Sequence, residues 1–231
     1  CVLEASQWLQ QLQTDRVNLL EVVPSYLNEL LLLETGGNLR HLDGLQYLVA
    51  TGETLKKNLV ERWFARYPDI PLGNVYGPTE ASDDITHAIF HTPPATPNVS
   101  IGQPLRNLRV YVLDQSDQLC PVGIKGEICV AGVGVGRGYL RDPEKTAAVF
   151  ATDPFGAPGV RLYRTGDLGR YRADGHLEFF GRKDHQVKIR GYRIELGEIE
   201  EQLVQLDGVL EAAGIVRRET TGEDWLHAYF H

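Results

Sequence analysis

The chain has 231 residues, 42% of them hydrophobic and 23% charged, with a formal net charge of −8; these proportions belong to a globular protein and exclude a disordered chain or a long coiled coil. The acidic balance argues against a nucleic-acid partner, which needs clustered basic residues to replace counterions along phosphates. No apolar run approaches the ~20 residues of a membrane span, residues 1–13 lack the pattern of a signal peptide, and three scattered cysteines (Cys1, Cys120 and Cys129) suit neither a disulfide framework nor a metal site, so a soluble, cytoplasmic protein with no membrane partner is expected.

Residues 4–13 read as a short helix, and 17–23 as a strand stopping at Pro24, which suits the first turn of a second helix. A buried strand is expected over 45–49, ending at Thr51 and Gly52. Leu55, Leu59, Trp63 and Tyr67, four residues apart, predict an amphipathic helix, and Pro68 and Pro71 lead into a strand ending at Tyr76. This alternation predicts α/β layers. From Ile85 the pattern changes to short strands over 85–90, 108–113 and 127–130, with one helix announced by Asp142 as N-cap and Pro143 as first residue. Two further strands, 161–164 and 168–172, are separated by a turn at Thr165, Gly166 and Asp167; Asp174 and Gly175 then predict a hairpin into 177–180. The remainder reads as a strand (185–190), a helix carrying Leu196, Ile199 and Leu203, and a strand (209–216): a βαβ unit lacking a partner. Gly181 and Gly191 bracket a boundary that separates 1–183 from 184–231. The absence of Met, the start at Cys1 and the close at His231 within a strand-like run suggest a piece of a longer chain.

Four segments carry more than scaffold chemistry. In 74–80, Asn-Val-Tyr-Gly-Pro-Thr-Glu, a strand ends in an aromatic and Gly77-Pro78 forces a tight turn. The turn presents Thr79 and Glu80 at the carboxyl end of the strand, where open α/β sheets bind ligands. An exposed Tyr76 offers a stacking face, the Thr79 hydroxyl a phosphate contact and the Glu80 carboxylate a ligand for Mg²⁺; a loop with a satisfied Tyr and a solvated Glu is the alternative. Residues 126–140 are rich in glycine but match neither GxGxxG nor GxxxxGK[ST], and read as glycine-relieved packing of a bent strand. In 163–168 the turn carboxylate of Asp167 suits the two vicinal hydroxyls of a ribose, or bonds its own backbone. In 181–200, Arg182 suits phosphate or ribose, Asp184 sits at the boundary, and Lys188, Arg190 and Arg193 alternate on a strand.

Together and in this order, these segments resemble the adenylation domains of nonribosomal peptide synthetases, in the adenylate-forming superfamily, over about residues 17–230. The resemblance implies a fragment of that mixed α/β (ANL-type) fold: the last part of a large subdomain, then an incomplete small one. It implies activation of an amino acid with ATP and Mg²⁺ to aminoacyl-AMP, followed by loading onto the phosphopantetheine of a carrier protein, next to a condensation domain. On this resemblance Tyr76 stacks on adenine, Asn74 and Gly77 lie beside it, Thr79 meets the phosphate, Glu80 the Mg²⁺, and Asp167 the ribose hydroxyls. Arg182 assists there, and Phe179 stands where some relatives have Tyr. Lys188 joins Thr79 and Glu80 as a candidate catalytic residue, Asp184 is the hinge, and Gly191 lies in the loop facing the pantetheine tunnel. The amino acid pocket falls on Glu21, Val49, Thr51, Gly52, Val75, Asp83 and Asp84; acids turned into it would favour a basic side chain, because a buried carboxylate needs a partner. The phosphate loop and the C-terminal lysine of the family are not within these 231 residues, so the chain by itself is not expected to adenylate. An acyl- or aryl-CoA ligase and a non-catalytic nucleotide-binding remnant are the alternatives.

Overall fold

Helix and strand alternate through the first third of the chain because its apolar residues switch between helical and strand spacing. The computed structural model describes residues 5–34, 42, 44–184, 186–218 and 224–231; the expected helix start at Glu4, together with Cys1 and His185, lies outside them. The chain divides into two units between Lys183 and Asp184.

In the first unit, α1 (Ala5–Thr14), β1 (Leu19–Val22), α2 (Pro24–Glu34), β2 (Tyr47–Ala50), α3 (Lys57–Arg66) and β3 (Leu72–Tyr76) follow one another, with β1, β2 and β3 parallel. β4 (Thr86–Phe90) and the two-residue β5 (Gln103–Pro104) add antiparallel edges, giving the order β1-β2-β3-β4-β5. Side chains alternate across these strands. Leu20, Val22, Leu48, Ala50 and Leu72 turn to one face and pack with Leu27, Leu59, Val60 and Trp63 of the helices, while Leu19, Glu21 and Tyr47 on the other face are exposed. The Trp63 indole is 1% exposed and donates its N–H to the Ile70 carbonyl at 2.9 Å, so its one polar atom is satisfied.

A second, antiparallel sheet has the order β10-β9-β7-β6, built from β6 (Leu108–Leu113), β7 (Gly126–Gly132), β9 (Arg161–Tyr171) and β10 (Leu177–Arg182), with β8 (Phe150–Thr152) on β9. α4 (Pro143–Val149) precedes β8, and Asp142 caps it as expected, accepting from the Lys145 N–H at 2.9 Å. Tyr76 and Ile85 join Val110, Val112, Ile128, Val130, Tyr163 and Leu177 in one core, which binds the two sheets. The expected strands 161–164 and 168–172 are a single strand. Gly166, at φ +75°, forms a bulge within β9 rather than a turn, and the β7–β9 register shifts between Glu127 and Cys129. Pairing on both sides of the bulge keeps the strand continuous. Cys120 and Cys129 are free thiols, and burial pushes that of Cys129 up to about 12.

The second unit corrects the expected βαβ. β11 (Gln186–Ile189) and β12 (Tyr192–Glu195) form a hairpin through Arg190 and Gly191, at φ 51° and 79°. A two-residue turn with both angles positive matches strand twist. α5 (Leu196–Val204) follows, and β13 (Ala212–Arg218) pairs antiparallel with β14 (Asp224–Phe230) rather than parallel with β11. Lys188 and Arg193, expected to alternate along one strand, are cross-strand neighbours.

Gly102, at φ +84°, lies where the two sheets of the first unit meet: its carbonyl accepts from Leu177 N–H at 2.7 Å, and a Cβ there would stand 1.7 Å from the His87 carbonyl oxygen. Gly102→Ala is expected to lower the unfolding free energy of the first unit by roughly 2–4 kcal/mol in urea titration, through backbone strain and a clash that no rotamer relieves.

Candidate functional site

Tyr76 ends β3 on the face turned to the core and is only 9% exposed. Its hydroxyl donates to Oδ2 of Asp167 at 2.5 Å. Arg182, opposite Asp167 in the β9–β10 ladder, donates through Nη1 to Asp167 Oδ1 at 2.7 Å and to the Thr165 carbonyl at 2.9 Å. Three strands from two sheets therefore converge on one buried carboxylate. The bulge aims it: the Thr165 hydroxyl donates to the Ile128 carbonyl at 2.7 Å and accepts from Asp167 N–H, while Gly166 N–H donates to Glu127 Oε1 at 3.1 Å. Glu127 is itself buried and holds Arg164 at 2.6 Å and Lys183 at 2.8 Å. Burial and the adjacent Asp167 charge raise the Tyr76 phenol well above its ordinary value, so it stays a donor. Two expectations are corrected. Asp167 lies in mid-strand rather than on a turn, and Tyr76 is not an exposed ring, because it shares the inward face of β3 with Leu72 and Asn74 and Asp167 holds its hydroxyl. Phe179 packs against the Tyr76 ring at 5.9 Å.

Gly77 allows the next step. A Cβ there would lie 1.9 Å from the Asp83 carbonyl oxygen, so its role is close backbone approach, with no positive φ and no tight turn of its own. Pro78 leads into a 3-10 turn, Thr79–Ala81, that leaves Thr79 exposed and Glu80 half-buried. The glycine-rich loop after β7 packs against this turn: Gly136 N–H donates to the Glu80 carbonyl at 2.8 Å, and the Tyr139 hydroxyl donates to Glu80 Oε1 at 2.7 Å. Sequence reasoning missed Tyr139 and Glu127 as supporting residues, since their partners lie 59 and 39 residues away. Asn74, 3% exposed, donates to the Ser100 carbonyl at 2.8 Å and so clasps the loop before β5.

The expected pocket residues fall at one end of the first sheet. Glu21 and Val49 are register partners, Val49 pairs with Gly73, and Val75 follows two residues on, so all three side chains share the face away from the helices. Thr51 and Gly52 follow β2, and the Thr51 hydroxyl lies 3.5 Å from Asp84 Oδ1. Asp83 is exposed at φ 75°. In the second unit Asp184 Oδ1 accepts from Gln186 N–H at 3.2 Å, and Gly191 occupies the β11–β12 turn.

The family model described as AMP-binding enzyme matches residues 2–140. The chain belongs to that family. Bacitracin synthase 3 of Bacillus licheniformis is 50% identical over 188 residues, 81% of this chain and 3% of its own length. Tyrocidine synthase 3 of Brevibacillus parabrevis is 42% identical over 218 residues, 94% of this chain and 3% of its own length. Among solved structures, holo-PA1221, a synthetase protein containing adenylation and PCP domains, superposes with a TM-score of 0.89 at 30% identity, over 99% of this chain and 39% of its own. The fold is thus part of the adenylate-forming fold, and this chain spans only a few per cent of the synthases it matches.

Tyr76→Phe tests the buried cluster. Losing a donor to a charged acceptor is expected to cost about 1.5–3 kcal/mol in denaturant unfolding at pH 7. Because the folded phenol titrates above its ordinary 10.0, the stability from Tyr76 is complete below pH 10 and lost as pH rises beyond it. The wild-type advantage over Tyr76→Phe should therefore shrink above pH 10.

Proposed function

We propose that this chain is a C-terminal portion of a nonribosomal peptide synthetase adenylation domain, which joins an amino acid to ATP as aminoacyl-AMP with release of pyrophosphate. The observation that carries this reading is the convergence of Tyr76, Asp167 and Arg182 on the same strand end that presents Thr79 and Glu80. The groups fit a nucleotide. The Thr79 hydroxyl is exposed for a phosphate oxygen, and Asp167 is a fixed acceptor whose lone pairs suit ribose hydroxyls. Mg²⁺ keeps waters and substrate phosphates as ligands and needs few from protein; Glu80 would supply the carboxylate, and the ion would neutralise phosphate charge.

The second half-reaction passes the acyl group from AMP to the thiol of a phosphopantetheine on a carrier protein. Residues 1–183 and 184–231 serve in this reading as parts of the large and small subdomains, with Asp184 as pivot, Gly191 in the loop toward the pantetheine arm and Lys188 as a basic contact. Its support is the resemblance over 99% of the chain to a protein containing adenylation and PCP domains. A condensation domain of the same assembly line and a cytoplasmic setting complete the proposal; among the described residues no helix is long and apolar enough to cross a membrane. A basic amino acid is the substrate this reading favours, supported by Glu21 on the face shared with Val49 and by Asp84 beside Thr51.

ATP–pyrophosphate exchange by a complete adenylation domain carrying this chain, with pooled amino acids, tests the reading. Exchange is expected with the pool of arginine, lysine and ornithine, and none from the 231 residues alone. Exchange with another pool would retain amino acid activation and discard Glu21 and Asp84 as selectors. Silence with every amino acid would overturn the proposal in favour of a CoA ligase or a nucleotide-binding remnant.

A further inference from the structure

We infer that Tyr139 is a positioning residue for the Glu80 carboxylate, acting from the glycine-rich loop after β7. The inference rests on the proposed role of Glu80 toward the divalent cation of the nucleotide. The 3-10 turn that carries Glu80 is three residues long, with an Ala81 N–H to Pro78 carbonyl bond of 2.9 Å. Such a turn cannot by itself fix a side chain with three rotatable bonds. Two contacts from the loop do so. Gly136 N–H fixes the Glu80 backbone carbonyl at 2.8 Å, and a Cβ at Gly136 would stand 3.0 Å from that oxygen. Three residues on, the Tyr139 hydroxyl reaches the carboxylate.

Tyr139 is well held for this task. Its backbone N–H donates to the Thr146 hydroxyl of α4 at 2.8 Å, and that hydroxyl donates to the Asp142 carbonyl at 2.7 Å, so the helix cap and the tyrosine share one anchor. The ring meets Phe150 edge-on at 5.7 Å, and Phe150 packs on Tyr163 of β9 at 4.9 Å. Lys145 Nζ lies 5.2 Å from the ring centroid. A carboxylate oriented before its cation arrives loses less freedom on binding, which is how residues behind a ligand tune metal affinity, typically by about 10–100-fold.

The test uses a complete adenylation domain carrying this chain, with Tyr139→Phe, Glu80→Gln and the double variant. Phe and Gln are near-isosteric, and thermal unfolding checks that each variant is folded. Mn²⁺ affinity of the ATP-saturated protein, read from free Mn²⁺ by electron paramagnetic resonance, is the principal readout, beside KM for Mg·ATP and kcat. Tyr139→Phe is expected to weaken Mn²⁺ about tenfold and raise KM more than it lowers kcat, with no further loss in the Glu80→Gln background. An equal loss in that background would overturn the inference, because Tyr139 would then act independently of Glu80. Unchanged Mn²⁺ affinity in Tyr139→Phe, with a loss in Glu80→Gln, would overturn it and leave the role of Glu80 standing. No loss in either variant would remove the role of Glu80 and the inference with it.

Discussion

The buried carboxylate of Asp167 is the constraint around which the first unit is organised. It is 6% exposed and sits where the parallel-rich sheet ends and the antiparallel sheet begins. One oxygen takes the Tyr76 hydroxyl from the first sheet, and the other takes Arg182 from the second. A charge at that depth is tolerated only when paired and hydrogen-bonded, and removing one partner of such a pair typically costs about 3–5 kcal/mol. The group proposed to grip the ribose is therefore also the polar weld between the sheets. That double duty explains why Tyr76 is held inward: its ring fills the shared core while its hydroxyl satisfies the acid.

Glu127 provides the counterpart one strand away. It is buried, yet it meets two cations and a backbone N–H, so its charge is compensated on several sides. The N–H belongs to Gly166, at the bulge that aims Asp167. One of the cations belongs to Lys183, whose own N–H donates to the Gly166 carbonyl at 2.9 Å. The last residue of the first unit is thus tied by side chain and backbone to the bulge that aims Asp167. Strand continuity, bulge geometry and the end of the unit rest on one carboxylate.

Local patterns carry the helices and strands up to Tyr76, because apolar spacing there reports burial directly, as in the four-residue repeat through Leu59 and Trp63. They also carry the Asp142 cap and the hairpin at Asp174–Gly175, where a short-range hydrogen bond decides the conformation. They fail where a distant partner decides. Gly166 reads as a turn residue, but Ile128 and Glu127 on the neighbouring strand turn it into a bulge. Arg190–Gly191 is a weaker turn signal than Asp–Gly, so the break before β12 is not legible from the residues alone. The resemblance supplies the site residues by motif, yet nothing in 126–140 alone indicates that Tyr139 meets Glu80, since that contact exists only once two loops have folded together.

The period-two geometry of β3 gives the site its division of labour. Asn74 and Tyr76 turn toward the core and the second sheet, whereas Val75 between them turns to the face shared with Glu21 and Val49. One short strand therefore sends alternate residues toward the proposed nucleotide side and the proposed amino acid side. A one-residue slip in its pairing would exchange the two sets. The close approach at Gly77, where a Cβ would lie 1.9 Å from the Asp83 carbonyl, and the bond from Ile85 N–H to the Tyr76 carbonyl at 2.8 Å pin the strand's end against such a slip. The Gly-Pro step after the strand thus secures register first. The placement of Thr79 and Glu80 follows from that register.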